Sequence, residues 1–295
     1  MRRVIGAMMV LGLTACGDPL VDPQTLIGLR ILGVRVSSDS EPSRAHINGG
    51  EGANVSWLIA AERKREFNGL ALWCEATTSA IGTPPCNDPF QTAEFSSDTE
   101  TPLVLPFSLP NKLEHDKWVH WIGLCESGTP KWRANAQRFE CSSGEPVSAV
   151  YRGNVSSANQ NPNLQDDELS LNGKAWLGVA SEVTPTCGAE GIPNVDASKT
   201  AKIRLRGRGN DREKLSSDEY AAATHESMTY THVATWPGLE RPYSALEGDD
   251  TSFEVHFDNE GDTPKSGGEL VRFLLIGRDG RGGTDWLERW FCLRP

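Results

Sequence analysis

The chain has 295 residues, with 29 Lys and Arg against 40 Asp and Glu, a formal net charge of -11 at pH 7. That balance leaves no electrostatic footprint for nucleic acid and opposes adsorption to anionic lipid. Gly 29 and Pro 18, without long Ala/Leu/Glu/Lys tracts, indicate a turn-rich, mainly β body whose length suggests two domains.

The chain opens with Met1-Arg2-Arg3, two positive charges, and Val4 to Leu13 is apolar or small throughout. This is the layout of a secretory signal whose apolar stretch is too short to span a bilayer. Leu13-Thr14-Ala15-Cys16 then resembles the lipobox of bacterial lipoproteins. The resemblance implies cleavage before Cys16 and acylation of both its sulfur and its new amine. Residues 1–15 are then a signal peptide and 16–26 a lipid-anchored tether. Such anchors hold firmly, since each buried methylene contributes about 0.8 kcal/mol. The residue after Cys16 is Gly17 rather than aspartate, which by the same resemblance favours the outer membrane. No later segment approaches the roughly 18 consecutive apolar residues of a further span.

A first domain is expected over 27–153. Leu32, Val34 and Val36 alternate with Gly33 and Arg35, the period of two that turns one strand face inward. A strand is expected around Val55 to Ile59. "LALWC" (70–74) and "WVHWIGLC" (118–125) are apolar on both faces, which marks central strands. Polar "NVSSANQNPNLQ" (154–165), broken by Pro162, reads as a linker.

The second domain, 166–295, begins with "ELSLNGKAW", a strand, a turn at Asn172-Gly173 and a return. Ile203 and Leu205 alternate with basic residues, and Phe253, Val255 and Phe257 with Glu254 and His256. Ser216 and Glu219 form a capping box for one short helix running through Ala223. "LVRFLLIG" (270–277) and "WLERWFC" (286–292) flank a glycine-rich hairpin connection. Short strands separated by turn signals point to an all-β chain of two β-sandwich domains with at most one or two short helices.

Setting Cys16 aside leaves Cys74, Cys86, Cys125, Cys141, Cys187 and Cys292. An even count in an exported chain is read as disulfides, although sequence alone does not choose the pairing. Proximity suggests Cys74–Cys86 and Cys125–Cys141, which leaves Cys187–Cys292. No pair has C-x-x-C spacing, so a thiolate metal site is not indicated.

No catalytic constellation is legible. His225-Glu226 lacks the second histidine of a zinc-protease motif because position 229 is Thr229. His232, His115 and His120 read as surface polar residues on strands. The acidic residues Asp249, Asp250, Asp258, Glu260 and Asp262 flank the 253–257 strand and are candidates for a structural Ca²⁺ on composition alone; no other cofactor is indicated. Of nine tryptophans, Trp73 and Trp290 neighbour cysteines and are expected to pack on disulfides. Trp132 and Trp236 lie in loop-like contexts, "GTPKWRAN" and "ATWPGLERPY", where a ring can stack on sugar or anchor a protein.

"LIGLRILGVRV" after the lipobox, "NPNL…LSLNG" at mid-chain and the closing "VRFLLIGRDGRGGTDWLERWFCLRP" resemble lipoproteins of myxobacteria and their relatives. The closing segment is also similar to the last hairpin of bacterial Ig-like and PKD-like domains. These resemblances imply immunoglobulin-like sandwiches and a cell-envelope setting, and they carry no catalytic residues. The expectation is an outer-membrane lipoprotein acting as a non-catalytic binding or scaffold module for an envelope protein partner. The alternative is a glycan-binding surface module, with Ca²⁺ as a candidate aid.

Overall fold

The structure, a computed structural model, describes residues 22–76, 84–155, 158–180, 184–206, 213, 226–247 and 250–295. Its first half holds β1 (Arg30–Ser38), β2 (Gly52–Ala60), β3 (Glu66–Glu75), β4 (Gln91–Asp98), β5 (Leu103–Ser108), β6 (Lys117–Cys125), β7 (Pro130–Arg133), β8 (Arg138–Cys141) and β9 (Val147–Asn154). Its second half holds β10 (Leu169–Leu171), β11 (Lys174–Ala175), β12 (Asn194–Asp196), β13 (Ala201–Arg206), β14 (Met228–Ala234), β15 (Tyr243–Leu246), β16 (Ser252–Phe257), β17 (Glu269–Arg278) and β18 (Thr284–Arg294). Among the described residues the one helical element is a 3-10 turn at Asp166–Glu168. The helix expected over 216–223 lies outside the described residues.

The strands form two immunoglobulin-like sandwiches of the same plan. Sheet β1-β2-β5 faces β4-β3-β6-β9 in the first, and β10-β13-β16 faces β15-β14-β17-β18 in the second. There β11 and β12 extend the edges, β12 running parallel to β18. Asn172 (φ 51°) and Gly173 (φ 78°) make the left-handed turn between β10 and β11.

Strands β3 and β6 are apolar on both faces because both are covered. Phe67, Ala71, Trp73, Trp118 and Ile122 face the sandwich core. Leu72, Cys74, Val119 and Trp121 face outward, under a flap made of the β7–β8 hairpin and the Cys86 loop. Gly123 has no side chain, so the ring of Phe139 lies directly on it. Cys74–Cys86 and Cys125–Cys141 staple this flap down, closing separations of 12 and 16 residues, and Cys187–Cys292 spans 105. The first two pairs are those that proximity suggests, and the third is the pair that remains.

Two expectations are corrected. Trp73 does not pack on the disulfide beside it, because adjacent strand residues face opposite ways. Its ring stacks instead on His120 at 4.3 Å inside the core, while Trp121 and Trp132 lie by the disulfide. His120 and His232 are fully buried rather than surface residues. Burial pushes His120 down to about 3 and His232 down to about 4, so each packs as a neutral aromatic ring.

The sandwiches are joined by contact as well as by chain. A bulge at Ile31/Gly33 turns Leu32 outward while Val36 stays in the core. Leu26, Leu32, Leu58 and Ala60 then pack on Val233, Leu274, Ile276 and Trp286 of the second domain. The polar segment expected as a linker is held down along its described part. Asn161 donates its N–H to the Ser43 carbonyl at 2.7 Å. Its Nδ2 donates to the Val36 carbonyl at 2.7 Å, and its Oδ1 accepts from the Thr284 N–H at 3.2 Å. Asn159 Nδ2 donates to Asp279 at 2.8 Å, and Arg35 pairs with Asp285 at 2.9 Å.

A buried acid sits beside this joint. Glu226 is 3% exposed, 3.5 Å from Arg281, which also pairs with Glu213 at 2.7 Å. Burial, assisted by the nearby charges of Asp279 and Glu213, pushes its carboxyl up to about 7. The folded protein therefore binds the proton more tightly than the unfolded chain. The associated stability is fully present below the ordinary value of 4.5 and is lost as pH rises to about 7. Glu226→Gln keeps an acceptor for the Glu213 N–H but cannot ionise. Denaturant titrations across pH are expected to show the variant gaining on the parent from about pH 4.5, levelling about 3 kcal/mol above its low-pH difference beyond about pH 7. A difference that does not vary with pH contradicts this placement.

Candidate functional site

The second-domain sheet presents its outer face to the first domain, and the contact covers only part of it. Alternation along β18 puts Trp286, Glu288 and Trp290 on that face, and β17 adds Arg272, Leu274 and Ile276. Trp286, Leu274 and Ile276 are taken by the junction. Arg272, Glu288 and Trp290 remain as the floor of a cleft of about 540 Å³. Its walls are the 61–64 turn after β2, the 99–101 turn before β5, and residues 179–180 and 184–185. A shallower groove past Trp286, Glu288 and Trp290 adjoins it.

The floor is preset. Arg272, 7% exposed, gives Nη2 to Glu288 at 2.6 Å, and its guanidinium lies 5.7 Å over the Trp290 ring. Trp290 Nε1 donates to Glu288 Oε1 at 2.9 Å, so the half-buried ring is fixed at both ends. In the wall, Lys64 pairs with Glu100 at 2.6 Å and Asp98 at 3.2 Å. Hydrogen bonds to those two carboxylates hold the Lys64 ammonium above its ordinary value. Burial works to raise Glu62, but hydrogen bonds from Arg65 and from the Gly28 N–H keep its carboxyl below the ordinary range. The lining carries Arg63, Lys64 and Arg272 against Glu62, Glu100 and Glu288, three charges of each sign.

The described end of the tether docks on β14, in the apolar junction that adjoins the cleft. The Leu26 N–H donates to the Ala234 carbonyl at 2.7 Å, and Ala234 donates to Gln24 at 2.9 Å. Gly28 N–H reaches the wall residue Glu62 at 2.7 Å. Thr235, next to Ala234, exchanges two 2.9 Å hydrogen bonds with the backbone of Arg272.

The residues singled out from sequence lie elsewhere. Trp132 is on β7 rather than in a loop, half-buried against Trp121 and Phe139 at 5.0 and 4.9 Å, with Nε1 donating to the Cys86 carbonyl. Trp236 packs at the edge of the second core and donates to Asn259 at 2.7 Å. Neither ring stands free in solvent. Asp250 and the set Asp258, Glu260 and Asp262 occupy opposite ends of β16, about 20 Å apart by strand rise, too far to share one ion. Asp249 and Cys16 lie outside the described residues. Among the described residues no group of three or more His, Cys, Asp or Glu side chains could hold a metal. Trp290, expected against a disulfide, is the ring that lines the cleft. The W-x-E-x-W spacing of the last strand carried that signal, since it places both rings and the carboxylate on one face.

No protein-family model and no curated protein matches the chain. Among solved structures it is similar to red sea bream transglutaminase, at 10% identity and a TM-score of 0.27, over 90% of this chain and 31% of that one. It is likewise similar to Escherichia coli alpha-2-macroglobulin activated by porcine elastase, at 10% identity and a TM-score of 0.21, over 93% of this chain and 22% of that one. The chain thus spans less than a third of either protein's length, and likeness at these scores carries no argument about function. Fold and cleft together define a protein of two immunoglobulin-like domains with a cleft at their junction.

Proposed function

We propose that the chain is an outer-membrane lipoprotein, anchored through Cys16, that serves as a non-catalytic binding module in an envelope or surface assembly. The observation that carries this reading is the junction: two sandwiches locked by apolar and polar contacts, with a preset cleft between them. Each cleft carboxylate has a cationic partner, Glu288 with Arg272, Glu100 with Lys64 and Glu62 with Arg65. Pairs of this kind hold the lining side chains in place. The net charge of -11 favours attachment by acyl chains over electrostatic adsorption to lipid.

The anchor is tested by mass spectrometry of the mature N-terminus and by fractionation of cells carrying Cys16→Ser. The parent is expected in the membrane fraction with acyl chains on Cys16, and the variant is not acylated and leaves that fraction. An unmodified Cys16, or a parent found in the soluble fraction, contradicts the lipoprotein reading.

A further inference from the structure

We infer that the junction cleft binds a neutral saccharide, an assignment that rests on the binding-module reading and names its ligand class. The first observation is an unspent donor. Arg272 is more than nine-tenths buried and its Nη2 is engaged with Glu288. Its Nη1 meets the Thr99 carbonyl only at 3.4 Å, and its Nε has no acceptor. A buried donor left without a partner costs on the order of 1–3 kcal/mol, which a ligand oxygen beside this guanidinium reduces.

The second observation is charge balance. Three cations and three carboxylates line the cleft, so a charged ligand meets as much repulsion as attraction, while a hydroxylated neutral one finds donors and acceptors on every side. Thr99 and Thr101 add to that set, and Trp290 supplies an apolar surface for the C–H face of a sugar ring. Peptide capture by strand addition is disfavoured at the floor. There β17 pairs with β18 on one side and bonds β14 and Thr235 on the other, and the Trp290 carbonyl of β18 already accepts from Trp176 Nε1 at 2.9 Å.

The tether adds a location. It bonds Ala234 and packs Leu26 in the junction, and only five residues lie between Cys16 and Asp22, a reach of about 20 Å when extended. A chain acylated at Cys16 therefore holds the domain junction close to the membrane surface, where saccharides are presented.

The test is calorimetric titration of the full mature protein in detergent with cellotetraose, maltotetraose and the tetrasaccharide of N-acetylglucosamine. An oligogalacturonate serves as the acidic control. At least one neutral tetrasaccharide is expected to bind, at least tenfold more tightly than the acidic one. A preference for the amino-sugar oligomer points to a peptidoglycan-type backbone, and a preference for a hexose oligomer to a hexose polysaccharide. Trp290→Ala is expected to weaken binding at least tenfold. Thr101→Trp, which fills the cleft from an exposed turn without disturbing a core, is expected to do the same, and Trp132→Ala to have no effect. Absence of binding by all three neutral probes overturns the assignment, as does binding indifferent to Trp290→Ala and Thr101→Trp. If no sugar binds but Thr101→Trp abolishes capture of one protein partner, the saccharide assignment falls and the binding-module reading stands.

Discussion

Replacing Cys187 and Cys292 together with alanine is expected to cost about 4–5 kcal/mol of stability, the largest single loss in the protein. The bridge closes a separation of 105 residues, and chain entropy assigns about 4.7 kcal/mol to a loop of that length. It also ties the segment ahead of β12 to the last strand, β18, whose outer face forms the cleft floor. The Cys74–Cys86 bridge closes only 12 residues and holds a flap outside the sandwich core, so the corresponding double substitution is expected to cost about 3 kcal/mol. Denaturant unfolding of both variants beside the parent checks the order. A smaller loss for the 187–292 pair than for the 74–86 pair contradicts it.

Asn161→Ala is expected to cost about 2–4 kcal/mol and to divide unfolding into two transitions. The side chain serves the Val36 carbonyl of the first sandwich and the Thr284 N–H of the second, and both groups are left without their partner when it is removed. Each such buried group costs about 1–3 kcal/mol. The loss falls on the joint rather than on either core, so the domains lose mutual support while each keeps its own fold. Differential scanning calorimetry gives the readout. One transition is expected for the parent and two for the variant, whereas a single unshifted transition shows that Asn161 does not couple the domains.

The legible part of the fold is the part governed by strand periodicity. Ile203 and Leu205, and Val255 and Phe257, alternate as half-buried strands should, and they lie on β13 and β16 facing the core. The apolar faces of 70–74 and 118–125 correctly mark β3 and β6 as central. The final hairpin falls where its glycines place it, with Arg278 paired to Thr284. What escaped are features set by contacts distant in sequence. The flap strand Pro130–Arg133 is too short to show a period, so Trp132 looks like a loop residue until Trp121 and Phe139 are placed around it. A bulge reassigns Leu32 from core to junction, and one inserted residue leaves no mark in hydropathy.

The joint escaped for a chemical reason. Asn159 and Asn161 have the composition of a solvated linker, but their amides satisfy backbone and carboxylate groups on both domains and are buried for that purpose. Glu226 was visible only as half of an incomplete metal motif, and its environment is created by Arg281, Glu213 and Asp279. The cleft was partly legible. Trp286, Glu288 and Trp290 share a strand face in the sequence, whereas the facing walls exist only once the first domain docks.

The central claim is that the chain works by binding at its junction cleft, and photo-crosslinking in living cells tests it most directly. A benzophenone side chain at Arg63, exposed on the cleft rim, is compared with the same group at Lys131, exposed on the flap. A discrete adduct from position 63 that is absent from position 131 is the predicted result. No adduct from position 63, or the same adducts from both positions, contradicts the claim.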